Sequence, residues 1–201
     1  MSKEKFDIIK VNKQEAKRIL DEYHYLTGIS KGFRSGYNYG LYDKKEKEVV
    51  GVIIFTNFPV PELGKGMLGL ERNDQEGLFE LSRLCLTPRV QKEEHNLASW
   101  FVSKAIKELK KDTHVRVILS YADSKYHKGT VYRACNFRYY GLTAPKKDFY
   151  RKLEDGTFVK QSRGKTKGVE GKWVDRTRKH RFLLVFDKKL VVKWEEANYD
   201  V

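Results

Sequence analysis

The run from LFELSRLCL through HNLASWFVSKAIKELKK to VRVILSYA, residues 78–122, limits the fold more than any other part of the chain. In its middle piece Leu97, Phe101, Ala105 and Leu109 fall four apart, and Trp100 and Ile106 widen the stripe, which predicts an amphipathic helix. Flanked by two apolar runs with β-strand texture, that helix makes a strand–helix–strand crossover, so the two strands should lie parallel in one sheet. The pieces that follow, GTVYRAC and FRYYGL, read as a short helix and a closing strand. The pattern is α/β (α+β): a mixed central sheet flanked by helices.

The N-terminal part approaches this unit through antiparallel structure. FDIIKV reads as a strand, and NKQEAKRILDEY as a helix with Asn12 as its N-cap and Ala16, Ile19 and Leu20 on one face. HYLTGISKGFRSG is too polar and glycine-punctuated for either element, and YNYGLYD with EVVGVIIFT forms a hairpin around KKEKE. The stretch NFPVPELGKGMLGLERNDQEG is predicted to be a long loop, functional or mobile. Near residue 146 the texture changes. Residues 146–189 carry fifteen Lys/Arg against six Asp/Glu, a large share of the +14 that 41 Lys+Arg and 27 Asp+Glu give the 201-residue chain. YRKLEDGTFVK signals a β-hairpin at Asp155-Gly156, SRGKTKGVEG a basic loop, and KHRFLLVF a further strand. The organisation expected is a catalytic domain over 1–145 and a basic β-hairpin extension over 146–201 packed on it.

A cationic field of this size concentrates polyanions, so nucleic acid or a phosphorylated cofactor is the expected partner. Cys85 and Cys135 have neither a disulfide framework nor zinc-ligand spacing. No apolar stretch reaches the roughly 20 residues that span a bilayer, and MSKEKFDIIK lacks a signal-peptide core, so a cytoplasmic location is expected, with no membrane partner. The oligomeric state is not encoded legibly.

YADSKYHKGTVYRACNF, residues 121–137, leaves the second strand of the crossover and crowds Asp123, His127 and Tyr132 together. Ligands in open α/β sheets bind at the carboxyl ends of the strands, where this segment begins. Asp123 is placed to hold an amine or act as general base, Tyr132 to act as acid, and Arg83 to steady a carboxylate or phosphate. The plainer roles are a turn-capping Asp123, a packing Tyr132 and a strand-surface ion pair for Arg83. Ser120 and Tyr121 sit at the strand end beside them.

The element order and TVYRACNF resemble the GNAT acyltransferase superfamily, in which a Tyr on the last helix protonates the departing coenzyme A thiolate. Tyr132 matches that Tyr, and Asn136 stands where glycine is usual, a position Asn also tolerates in the left-handed conformation. The resemblance implies acetyl-CoA as cofactor, lying along Leu84, Cys85 and Leu86 and over Arg89, Gln91, Asn96, Leu97 and Ala98. The phosphate-binding glycines of that superfamily are absent from PRVQKEEHNLAS, leaving Arg89, Gln91, Lys92, Asn96 and the helix N-terminus as donors.

Within that superfamily the chain is similar to the Mom-type proteins of bacteriophages. The similarity runs through HYL (residues 24–26), GYNYGLYD…VVGVIIF, ELSRLCL, NLASWFVSKAIKEL, VILSYADSKYHKGTVYRACNF and KHRF. It implies attachment of an acetamido (carbamoylmethyl) or acyl-type group to the exocyclic N6 of adenine, in phage DNA guarded against host restriction, and a suspected metal dependence. His24 then joins Asp123, Tyr132 and Arg83 as a catalytic candidate. His24, His127 and Asp123 together would make a two-His, one-carboxylate metal face, although their spacing gives no ligand motif; no metal ligand is assigned. His95, His114 and His180 read as surface or strand-edge residues. DNA would meet Tyr25, Phe33, Arg34, Ser120, Tyr121 and His127, with Lys146, Lys147, Arg163, Lys165, Lys167, Arg176, Arg178 and Lys179 on phosphates and Trp173, Tyr139, Tyr140 and Phe33 as stacking faces. The competing readings are an acetyl-CoA-dependent N-acetyltransferase of another amine and a non-catalytic basic DNA-binding protein on the same scaffold.

Overall fold

The computed structural model describes residues 4–25, 33–161 and 163–199. The chain begins β1 (Phe6–Lys10), α1 (Lys13–Tyr23), β2 (Tyr37–Asp43), β3 (Glu48–Asn57) and α2 (Pro61–Leu68). The crossover follows as β4 (Leu78–Leu86), α3 (Pro88–Glu93), α4 (Leu97–Asp112) and β5 (Val117–Asp123). After α5 (Thr130–Ala134) and β6 (Arg138–Leu142), the chain makes β7 (Lys147–Lys152), β8 (Phe158–Gln161), β9 (Gly171–Asp175) and β10 (Lys179–Val185).

Seven strands form the central sheet in the order β1-β2-β3-β4-β5-β10-β6. Among them only β4 and β5 run parallel, as the crossover requires. Helix α4 buries the predicted stripe, Leu97, Phe101, Ala105 and Leu109, with Val102 and Ile106 beside it. On this face it meets Ile53, Phe55, Ile118 and Ala122. The alternate residues point the other way: Val52, Ile54 and Cys85 pack on α1, and Val117 and Leu119 on Met67 and Leu68 of α2. Burial on both faces, at roughly 25 cal/mol per Å² of apolar surface, is what makes the strand pattern continuous rather than alternating.

Asn12 caps α1 with both halves of a capping box, its side chain accepting from Glu15 N and Glu15 accepting from Asn12 N, each at 2.9 Å. The predicted loop over 57–77 is largely ordered: it holds α2, entered at Pro61 and closed by left-handed Gly69, and a short turn at Arg72–Asp74. Proline at the first helical position and glycine past the last are helix signals, and Met67 and Leu68 supply the buried face.

The C-terminal quarter is not one extension. Strand β10 inserts between β5 and β6, so residues 179–185 belong to the central sheet. Only the segment between β6 and β10 leaves it, as an arm with its own sheet in the order β8-β7-β9. The Asp155-Gly156 hairpin is present, and β9 adds a third strand to it. The arm leaves and re-enters at one point, where Thr143 N donates to Lys179 O at 2.8 Å and Lys179 N to Thr143 Oγ1 at 3.0 Å.

Candidate active site in a slot through the sheet

Strands β4 and β5 pair from Leu78↔Val117 to Leu81↔Ser120 and then part. The cause is local. Opposite β3, Ile54 pairs with Arg83 and Phe55 with Leu81, so Ser82 is an extra residue, and its hydroxyl donates to Ile54 O at 3.2 Å. A bulge of this kind bends its strand. Here β4 follows β3 to Leu86 while β5 follows β10, and a slot opens between them.

A cavity of about 390 Å³ fills the slot. From β4 it is lined by Glu80, Arg83 and Leu84, from β5 by Tyr121 and Ala122, and from α5 by Tyr132. His24 and Tyr25, at the end of α1, and Tyr126, His127 and Lys179 close the opposite side. Strand alternation places Leu81, Ser120 and Ala122 on the α4–α5 face and Glu80 and Tyr121 on the other, so the cavity is approached from both faces.

On the α5 side, Tyr132 is 8% exposed, its ring held between Phe137 at 5.6 Å and Phe182 at 5.3 Å. Burial pushes its phenol up to about 12, while the neighbouring Ser120 hydroxyl works in the opposite direction. Left-handed Gly129 starts α5, where a Cβ would lie 2.3 Å from the Phe182 ring. Asn136 follows α5 at φ 62, in the left-handed conformation predicted for it.

On the other side, His24 and Tyr25 stack at 4.5 Å, and Tyr25 meets Tyr126 and His127 at 5.0 Å each. This is an aromatic wall. Burial, then the charge of Arg83 and the proximity of His127, bring His24 down to about 4, so its imidazole is neutral at physiological pH. Burial raises the Glu80 carboxyl and lowers the Lys179 ammonium, the two charges partly offsetting each effect. Burial pushes Tyr121 up to about 12. Glu80 lies in the predicted strand, but nothing marked it as a site residue; a lone carboxylate in an apolar strand was the available signal.

Asp123 stands outside this cavity. It is 8% exposed, with Oδ1 accepting from Lys125 N at 3.0 Å and Oδ2 from Thr177 Oγ1 at 2.8 Å, while its carbonyl accepts from Tyr126 N and His127 N. It ties the loop that carries Tyr126 and His127 to the arm, the turn-capping role. Among the described residues no group of three or more His, Cys, Asp or Glu comes together as a metal-ligand set, so His24, His127 and Asp123 do not assemble one.

The expected phosphate contacts are also redirected. PRVQKE forms the short helix α3. Arg89 bonds Asp43 at 3.0 Å and Glu93 at 3.3 Å, and Gln91 Nε2 donates to Leu86 O at 2.7 Å. Cys85 faces α1, and burial pushes its thiol up to about 12; Leu86 and Leu97 are core, and Asn96 is the left-handed N-cap of α4 preceding half-buried Ala98. Of these residues, Leu84 alone lines the cavity.

Three aromatic residues assigned to DNA stacking are structural. Tyr139 and Tyr140 are each 5% exposed, Phe33 packs beside α1, and His180, buried rather than at a surface, bonds the Tyr139 hydroxyl at 2.8 Å. Arg34 is exposed and reaches Phe58 O at 3.4 Å. Lys146, Lys147, Lys165, Lys167, Arg176 and Arg178 are exposed on the arm, and Trp173 packs on Phe149 at 5.2 Å. Residues 26–32 of the HYLTGISKGFRSG segment lie outside the described residues, as does the side chain of Arg163.

Comparison with solved structures finds this fold in acetyltransferases. A Bacillus subtilis acetyltransferase in complex with CoA is 17% identical, with 90% of this chain and 99% of that one covered at a TM-score of 0.53. A ribosomal-protein-S5-alanine acetyltransferase from Vibrio fischeri is 11% identical, with coverage of 94% and 97% and a TM-score of 0.54. An indication of the same fold comes from the IAA acetyltransferase of Bacillus cereus, 12% identical over 90% and 99% at 0.52. No curated protein matches the chain. The family model described as the Mom protein family matches residues 5–199, nearly the whole sequence, and the chain therefore belongs to the Mom protein family, built on the fold of the GNAT acetyltransferases.

Proposed function

We propose that this protein transfers an acyl-type group, of the acetamido or acetyl class, to the exocyclic N6 of adenine in DNA. The observation that carries the reading is the slot between β4 and β5, which offers a protonated phenol on one face and a neutral imidazole within an aromatic wall on the other. Tyr25 and Tyr126 provide ring faces for a purine, and Glu80 provides a carboxyl group to accept from its amine. An adenine can reach such a recess only when unpaired or extruded from the duplex.

The proton handling follows from the two sides. As the bond from N6 to the transferred carbon forms, the amine proton passes to His24, and the bond from that carbon to its leaving group breaks. Tyr132 gives its proton to the leaving group; His24 then releases the proton it took to solvent, and Tyr132 regains one from solvent. Arg83, from the bulged part of β4, stabilises negative charge developing on the transferred group.

Acyl-coenzyme A would supply an activated acyl carbon. The unpaired edge of β4 beyond Leu81 suits the amides of its pantetheine chain, but Arg89 and Gln91 are engaged elsewhere, so the expected side-chain cradle for its pyrophosphate is not built. That mismatch favours, as a second reading, a basic DNA-binding protein without catalysis. Mass spectrometry of nucleosides from DNA of expressing cells separates the two. A new adenosine species supports transfer, whereas unmodified DNA with salt-sensitive binding retained supports the second reading.

A further inference from the structure

Beside the slot lies a second recess, of about 320 Å³, that shares Tyr126 and Lys179 with it. Its far wall is one face of the arm. Strand alternation and register put Asp148, Tyr150 and Lys152 of β7, Phe158 and Lys160 of β8, and Lys172 and Val174 of β9 on that inner face. Arg151, Val159 and Trp173 lie on the outer face. Asp148, Tyr150, Lys160 and Val174 line the recess, opposite Lys125 and Tyr126 of the loop after β5.

The inner face is organised for a polyanion. Buried Asp148 accepts from Lys160 at 2.6 Å and faces Arg176 Nε at 3.3 Å, which fixes two half-exposed cations at the recess. Lys160, Tyr150 and Lys172 form one row across the three strands, and Lys172 Nζ lies 4.1 Å above the Phe158 ring. The arm between β6 and β10, residues 143–178, carries eleven Lys/Arg against five Asp/Glu. Rings interleaved with lysines, Tyr150 and Phe158 among Lys160 and Lys172, suit unpaired bases, whose faces are open to stacking, together with their phosphates.

We propose that this recess and the inner face of the arm seat an unpaired DNA strand, with Lys179 and Tyr126 at the point where one base turns into the slot. The proposal rests on the reading that the slot accepts a base from DNA, and it names the strand state and the surface that holds it.

The test is fluorescence anisotropy of the full-length protein with a labelled 20-mer, single-stranded and as its duplex. Lys172→Glu and Arg151→Glu make the same charge change at exposed sites on opposite faces of the arm. The single strand should bind more tightly than the duplex; Lys172→Glu should weaken it about tenfold or more and Arg151→Glu less than about threefold. Phe158→Ala, at an exposed position, should cost about fivefold or more. Equal losses from Lys172→Glu and Arg151→Glu, or tighter binding of duplex, overturn the proposal. If DNA is nevertheless modified by the wild type, the slot reading survives that failure. Unmodified DNA with the inner-face losses intact defeats the slot reading instead and leaves this surface standing.

Discussion

At the residue scale, burial decides which groups handle protons and which hold the loops. Asp123 gives both carboxylate oxygens to neighbours, Lys125 N at 3.0 Å and Thr177 Oγ1 at 2.8 Å, so removing it should act first on stability. Asp123→Ala should cost about 2 kcal/mol, a fall of roughly 4–8 °C in Tm by calorimetry, and Asp123→Asn should recover at least half of it. An Asp123→Ala protein as stable as wild type yet inactive would return this carboxylate to the chemistry. His24 makes a different signature. Its imidazole takes a proton only below about 4 when folded but below the ordinary 6.5 when unfolded. Between those values the unfolded chain binds more protons, so stability falls as pH drops through the window, by on the order of 2 kcal/mol from this residue. Burial lowers His180 in the same direction and adds to the slope. Urea denaturation at pH 7, 6 and 5 should show that decline in wild type and a shallower one in His24→Gln.

At the element scale, the bulge at Ser82 opens the slot, and the short helix α3 commits the side chains expected to hold a phosphate. Periodicity showed α1, α4 and the strands because their apolar residues repeat at helical or strand spacing and are buried accordingly. It could not show the bulge, since one inserted residue leaves the strand texture of LFELSRLCL intact while reversing which side chains face the slot. Nor could it show that Arg89 is committed, because Asp43 and Arg89 meet only through the tertiary fold. Burial alone would raise the Asp43 carboxyl, but Arg89 and the amides of Glu46 and Lys45 hold it below its ordinary value. Arg89→Ala leaves that buried carboxylate short of its partner and should cost about 2 kcal/mol in urea denaturation. Calorimetry with acetyl-CoA should give the same affinity for Arg89→Ala as for wild type; a tenfold loss would place the phosphates at α3 after all.

At the scale of the whole molecule, the insertion of β10 between β5 and β6 brings the basic arm against the loop after β5. The sequence located the charge, the hairpin at Asp155-Gly156 and the strand KHRFLLVF, but return of that strand to the central sheet is a matter of topology that local pattern does not carry. The same return accounts for Lys179, whose register opposite Asp123 puts a cation at the junction of the slot and the recess. Tyr132 lines the slot, with its hydroxyl by Ser120 at the last parallel pair before the strands part. Tyr132→Phe removes the proposed proton donor and keeps the packed ring, so its Tm should remain close to that of wild type. The most direct measurement is the modified fraction of adenine, read by nucleoside mass spectrometry in DNA from cells expressing wild type or Tyr132→Phe at matched protein levels. A modified adenosine in the wild type that falls about a hundredfold or more in Tyr132→Phe is the predicted result; equal modification in both, or none in the wild type, would contradict it.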